Sequence, residues 1–539
     1  MKKFLITIVI LFLIIIIGGF YYLQDNDFKI SKGIDIFFSV FREINAFYVD
    51  EVDPEKLIHA GINGMLAILD PYTTYIPESE IDELKFMTTG EYGGIGAIIK
   101  KAGDYVVIYE IYKNSPSHKY GLLQGDTIVS INKKDIKNLE INEVSDLLKG
   151  TPGTKVNIEI RRMNMKKPII KEIERESITI NNIPYSGIIE NKYGYIKLSN
   201  FTKDASKEMY DKLINFKNNN IEGLIIDLRN NPGGLLIEAV KIANLFLKKN
   251  VEIVSTRGRF QQWNKTYYTE DEPIDTITPI VLIVNKNTAS ASEILAGSLQ
   301  DYDRAVIIGE KTFGKGLVQT TRQLGYNNQL KITTSRYYIP SGRCIQEINY
   351  NGKKLIDKKA FKTKNGRIVY DAGGITPDIP YNFEYFEDVV KELLNKDFIF
   401  NYATNIFLQQ PKNKIFTNVN DSIFNDFVNF CIKNKFKYNT VTEKKLNELI
   451  EASIKDDVYK NIEDEINNIK IKLQHNIKND IINNKEIIKK LIEEELAQRY
   501  YFQEGKIKMM IERDSLIKKA INILDNKKLY NSILNINSN

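Results

Sequence analysis

Two short strings carry the residue types from which a nucleophile and its base can be built. N-T-A-S-A-S-E-I, Asn287 to Ile294, offers Ser290 and Ser292, and F-G-K-G-L-V-Q, Phe313 to Gln319, places Lys315 between two glycines. A serine hydroxyl attacks poorly until a base removes its proton, and that base is usually histidine. The only histidines are His59, His118 and His475, so none lies between residues 119 and 474. Lysine is the remaining candidate: packing between Gly314 and Gly316 would desolvate the ammonium and favour the neutral amine. Gln319, four residues on, is placed to hydrogen-bond the lysine nitrogen.

A serine attack also needs donors for the developing oxyanion. D-L-R-N-N-P-G-G-L-L, Asp227 to Leu236, ends a strand and opens a helix, so Gly233 and Gly234 present unobstructed N–H groups. The N–H of Ala291 is the natural second donor. A phosphate site is the rival reading, but neither G-x-x-x-x-G-K-[ST] nor G-x-G-x-x-G is present there. Further upstream, E-Y-G-G-I-G-A (Glu91 to Ala97) can fold Gly93, Gly94, Ile95 and Gly96 into a nest for a carboxylate beside a strand edge that accepts an extended peptide. Taken singly, these residues read as an N-cap, a solvated loop lysine, an exposed strand residue and plain glycine turns; their combination favours chemistry.

The elements that must position them follow from the periodicity. The 539 residues begin Met1-Lys2-Lys3 and continue with an uncharged run from Phe4 to Leu23, about the 20 residues a bilayer crossing needs. The run ends in Phe20-Tyr21-Tyr22, an interfacial aromatic belt, which favours a retained anchor over a cleaved signal. Lys2 and Lys3 before it, against Asp25 and Asp27 after it, place the bulk of the chain outside the cytoplasm. Residues 28–85 carry helix-like spacing for two or three helices, closed by L-D-P-Y-T-T-Y-I-P from Leu69. A compact strand-rich domain with one short helix, Ile141 to Leu148, comes next. From about Ser177 to Phe386 short strands apolar on both sides (Tyr195 to Leu198, Leu224 to Leu228, Ile280 to Val284) alternate with helical stripes, an α/β pattern with a buried sheet. The last 150 or so residues are patterned as helices, rich in Asn, Lys, Ile and Glu, with no recognisable chemistry.

Composition excludes other classes. A net charge of +6 with interleaved lysines and carboxylates implies no nucleic-acid surface. Cys344 and Cys431 are too far apart in sequence for a disulfide framework or a zinc site, and two unpaired thiols are expected.

These residues together carry a resemblance to the carboxyl-terminal processing peptidases, the S41 serine proteases that join a PDZ domain to a Ser-Lys core. It spans about residues 30–385. Gly121 to Ile128 is similar to the PDZ consensus, with Gly93 to Gly96 in its carboxylate-binding loop. Asp227 to Gly234, Thr288 to Asp301, Gly309 to Gln319, Thr334 to Arg343 and Gly373 to Asp378 resemble five family blocks in order. The resemblance implies a multidomain α/β protein: a membrane anchor (1–24), a helical region (25–85), a PDZ domain (86–170), a ClpP/crotonase-like protease core (171–388) and a helical extension (389–539). The family separates serine and lysine by 25 positions, which selects Ser290 over Ser292 and makes Lys315 the base, with Gln319 orienting it. Gly233, Gly234 and Ala291 become the oxyanion donors, the choice between the glycines staying open. Two residues depart from the pattern: Cys344 replaces the usual serine and Lys149 the usual arginine.

The activity so implied is that of a serine endopeptidase that cuts proteins at or near a C-terminal tail first captured by the PDZ domain. It would sit as a single-pass protein of a bacterial inner membrane, with the bulk of the chain in the periplasm or otherwise outside the cytoplasm. No metal or organic cofactor is called for. The expected partners are proteins with exposed C-terminal tails and the membrane, with a homo-oligomer or adaptor left open. The competing readings are a non-catalytic, membrane-anchored PDZ scaffold and an amidase acting on small molecules.

Overall fold

A computed structural model describes residues 27–348, 358–381, 386–409, 418–473 and 475–536. The run from Phe4 to Leu23 lies outside them. Among the described residues no helix is long and apolar enough to cross a membrane. The chain forms two compact units, one of the residues up to Glu78 with Gln319–Thr333, the other of Ser79–Val318 with the residues from Thr334 onward.

The smaller unit holds a helix over residues 27–47 and a second, Pro54–Leu66, whose start is fixed by Asp53. The Asp53 carboxylate accepts the N–H groups of Glu55 and Lys56 while Pro54 occupies the first turn, which needs no N–H donor. Asp70 then turns the chain by accepting the N–H groups of Tyr72 and Thr73. This delivers the strand Thr74–Ile76 antiparallel to residues 329–331.

The larger unit opens with the helix Ile81–Thr89 and a β-rich domain. Its sheet runs Ala97–Ala102, Tyr105–Ile111, Thr127–Ile131, Lys155–Arg161 and Ile169–Glu174 in spatial order, all antiparallel. Ile108, Ile128, Val156 and Ile158 form its core, onto which the helix Ile141–Leu148 packs Val144 and Leu148.

The next domain is built on six strands: Tyr185–Ile189, Tyr193–Lys197, Gly223–Asp227, Ile280–Val284, Ala305–Gly309 and Ile379–Pro380, neighbours in that order. The first pair is antiparallel and the rest parallel. Parallel strands are covered on both faces, which is why these read as continuous apolar runs. Leu224, Ile226 and Leu282 point to one side, against the helices Ala205–Asn218, Leu236–Asn244 and Ala291–Asp301. Ile225, Val281, Ile283, Val306 and Ile308 point to the other.

That second face is covered by the end of the chain. Ile511, Leu516, Ile517, Ala520 and Leu524 pack on it, and Tyr530 accepts the N–H of Ile280 at 3.0 Å. The C-terminal helices are therefore part of the α/β layer structure, not an appended tail. Their earlier members build a core of their own around Phe424, Phe427, Cys431 and Ile488. The same helices hold the β-rich domain. Lys100 pairs with Asp397 at 2.5 Å, Tyr109 stacks on Phe400, and Thr404 sits so close to Gly125 that a Cβ there would lie 2.4 Å from it. Buried Arg499 donates to Phe400 O at 2.9 Å and Thr404 Oγ1 at 2.8 Å.

Candidate active site

Ser290 stands where the loop after the strand Ile280–Val284 enters the helix Ala291–Asp301. Its backbone has φ 57° and ψ −118°, a conformation costing a non-glycine residue about 1–3 kcal/mol and kept only where the surroundings enforce it. The surroundings do so from both ends. The Ser290 N–H donates to Glu293 Oε2 at 2.8 Å, and its C=O accepts from the N–H of Glu293 and of Ile294. Ser292 is buried, its Oγ donating to Asn231 O at 3.1 Å, so of the two serines only Ser290 meets solvent.

Glu293 is the residue that sequence reasoning missed. Fully buried, its carboxylate receives four donors: the N–H of Ser290 (2.8 Å) and of Lys315 (2.9 Å) on Oε2, and Thr312 Oγ1 (2.6 Å) and the N–H of Gly314 (2.8 Å) on Oε1. Burial pushes its pKa up to about 7, against the pull of these hydrogen bonds. The Ser-x-x-Glu spacing of a capping box was the available signal. Tyr337, on the strand Gln329–Tyr338, meets the same two residues from their carbonyl side: its hydroxyl donates to Lys315 O at 2.7 Å and lies 3.2 Å from Ser290 O. Burial holds this phenol well above its ordinary pKa, so it remains a donor. It lies in the Thr334 to Arg343 block, but nothing in the sequence assigned it a role.

Lys315 is half-buried in a segment whose glycines permit close packing. A Cβ at Gly314 would come within 2.9 Å of Gly374 N, and one at Gly316 within 2.8 Å of Gln346 N. Gln319 lies in the smaller unit, where its Nε2 donates to Thr333 Oγ1 at 3.1 Å.

The glycine turn abuts the serine. A Cβ on Gly233 would be 2.8 Å from Ala291 N and 2.9 Å from Ser290 Cβ, and one on Gly234 would be 2.4 Å from Phe201 O. Both have positive φ, 97° and 147°. The Gly233 N–H is committed to Asn231 Oδ1 at 2.9 Å. The N–H groups of Gly234 and Ala291 donate to no acceptor among the described residues. Asn231, buried, ties the turn to the serine segment by accepting the Ala289 N–H at 3.0 Å. At the base of the turn Asp227 accepts from Tyr195, Lys197 and Arg229, and Arg229 reaches on to Asp514 at 2.6 Å. Burial alone would raise the Asp227 pKa, but the cations of Arg229 and Lys197 hold it well below the usual carboxylate range.

Gly93 and Gly94 form a short ladder with Ser177 and Glu176, and Gly96 takes φ 72° where a Cβ would strike Ser115. Gly94, Ile95, Ala97, Ile99, Tyr112 and Leu148 are among the residues lining a groove of roughly 330 Å³. Cys344 and Cys431 are unpaired.

Comparison with known proteins identifies relatives of this chain. The profile of peptidase family S41 matches residues 192–352, that of a PDZ domain residues 107–162, and one described as "Probable PDZ-protease, C-terminal helical domain" residues 389–524. A carboxy-terminal-processing protease of Bartonella bacilliformis is 36% identical over 338 residues, covering 62% of this chain and 77% of that protein. A probable CtpA-like serine protease of Staphylococcus aureus is 33% identical over 332 residues, 61% of this chain and 65% of that one. The photosystem II D1 C-terminal processing protease, a solved structure, is 26% identical, with 64% of this chain and 92% of that chain covered at a TM-score of 0.37.

Proposed function

We propose a specific reaction for this chain, which belongs to peptidase family S41, the serine-type carboxy-terminal-processing peptidases: Ser290 and Lys315 hydrolyse peptide bonds of proteins captured by their C-terminal tails. Neutral Lys315 takes the proton of Ser290 Oγ as the oxygen attacks the scissile carbonyl. The N–H groups of Gly234 and Ala291 receive the oxyanion, and the lysine returns the proton to the leaving amine. Water then cleaves the acyl ester by the same route. The observation that carries the reading is the shared acceptor Glu293 Oε2, which brings the peptide units of Ser290 and Lys315 to one oxygen.

The β-rich domain supplies the substrate end. A free carboxylate would dock at the loop Gly93, Gly94, Ile95 and Gly96, with the tail adding a strand along Ala97–Ala102, an edge of its sheet. Gln319 is assigned the role of orienting the lysine. The segment Phe4 to Leu23 would tether the enzyme to a bacterial inner membrane with its bulk outside the cytoplasm. The test is cleavage of an unstructured protein with an apolar C-terminus by the full chain in detergent, beside Ser290→Ala and Lys315→Ala. Wild-type cleavage no faster than the variants would end the proposal. Amidating the substrate C-terminus should slow cleavage, and an unchanged rate would remove the docking step.

A further inference from the structure

We propose that Tyr337 is a positioning residue of the Ser290–Lys315 pair, its hydroxyl bonding the carbonyls of the same two residues whose N–H groups Glu293 accepts. The inference rests on the Ser-Lys reading and adds a residue to it.

The geometry is reciprocal. Glu293 Oε2 accepts the N–H of Ser290 and of Lys315; the Tyr337 hydroxyl donates to the C=O of Lys315 at 2.7 Å, with that of Ser290 at 3.2 Å as the weaker arm of a three-centre bond. The Ser290 carbonyl also has the helix N–H groups of Glu293 and Ile294, so it is fixed without the phenol. The Lys315 carbonyl accepts the phenol O–H in a segment where Gly314 at φ 86° and Gly316 give the backbone freedom. Loss of the hydroxyl should therefore loosen the lysine and leave the serine in place.

The phenol is itself rigidly held. Tyr337 is 1% exposed, its N–H donates to Gly316 O at 3.0 Å, and its strand residue is paired with Thr256. One residue thus anchors the lysine segment at Lys315 O through its hydroxyl and at Gly316 O through its backbone. Proton transfer between a lysine amine and a serine hydroxyl requires hydrogen-bond reach, and a displacement of about 1 Å costs on the order of 10²-fold in rate. Nothing in the groove lined by Gly94, Ile95 and Tyr112 involves Tyr337, so substrate capture should not depend on it.

The experiment is Tyr337→Phe in the full chain, with kcat and KM measured on a peptide substrate with a free C-terminus. The expected result is a 10- to 100-fold fall in kcat with KM within about twofold. Replacing Tyr337 with 4-aminophenylalanine restores a donor and should recover most of the loss. A folded Tyr337→Phe with wild-type kcat, or a loss confined to KM, overturns the proposal. Should Tyr337→Phe fail to fold, 4-aminophenylalanine and 4-methylphenylalanine at position 337, matched in size, read the same donor; equal kcat for the two would also overturn it. Lys315→Ala separates the premises. Residual activity there defeats the Ser-Lys reading, whereas an inactive Lys315→Ala beside a normal Tyr337→Phe defeats the positioning role alone.

Discussion

The N–H groups of Ser290 and Lys315, 25 positions apart in the chain, end on one carboxylate oxygen of Glu293 at 2.8 and 2.9 Å. A buried carboxylate facing four donors is a rigid cross-link between the helix start that carries the serine and the glycine-flanked segment that carries the lysine.

Glu293→Gln keeps the volume but points amide hydrogens at donors. We expect a folded protein at least about 10-fold slower, since buried donors lose their acceptor. The wild type should also show a pH signature. Its folded pKa, about 7, is raised above the ordinary 4.5, so between those values the folded chain holds a proton the unfolded chain has released. Stability from this group is therefore greatest below pH 4.5, falls by about 3 kcal/mol as pH rises to 7, and is flat above. Urea unfolding across pH 4.5 to 8 should show that slope in wild type relative to Glu293→Gln; parallel curves would remove the assignment.

Gly234→Ala tests the oxyanion turn. Its Cβ would lie 2.4 Å from Phe201 O at φ 147°, so the turn must shift to admit it. The expected loss in kcat is about 10²-fold or more, the usual worth of one oxyanion donor. Circular dichroism establishes the folded fraction, and near-normal kcat in folded protein would exclude Gly234 as a donor.

Asp514→Ala removes the partner through which the C-terminal helices reach Arg229 beside the turn. Arg229 keeps Asp227, so we expect roughly 1–3 kcal/mol lost by chemical denaturation, with a lower kcat as the turn loosens. A variant as stable and active as wild type would show that this bridge does not support the site.

Leu516→Ala probes the cover of the sheet's second face. The side chain is fully buried against the core strands, so the expected cost is about 2–5 kcal/mol, read as a lower unfolding midpoint of the whole enzyme. Loss confined to the C-terminal helices, with the core unchanged, would contradict a shared fold.

The local pattern carried much of this protein. Strands such as Ile280–Val284 were legible because burial on both faces leaves no polar position, and the glycine turn because only glycine tolerates its φ and its contacts. Ser290 and Lys315 were proposed as a pair through the absence of histidine and the spacing of the resemblance, and the fold brings their segments to one carboxylate. What covers the second sheet face was not: helices such as Ser515–Asp525 show only an apolar stripe, and a stripe does not say which surface, some 200 residues away, it will meet. Glu293 was half-visible as a local Ser-x-x-Glu spacing, but its bond to Lys315 spans 22 positions. The role of Tyr337 was invisible even though its segment carries part of the resemblance, because a tyrosine in a strand looks the same whether its hydroxyl meets water or two backbone carbonyls. Sequence alone determined the chemistry-bearing residue types and the elements that hold them, since these follow from side-chain chemistry and short-range periodicity. Only the tertiary structure decided which buried groups brace the pair and which helices close the core, since those depend on contacts between segments far apart in the chain.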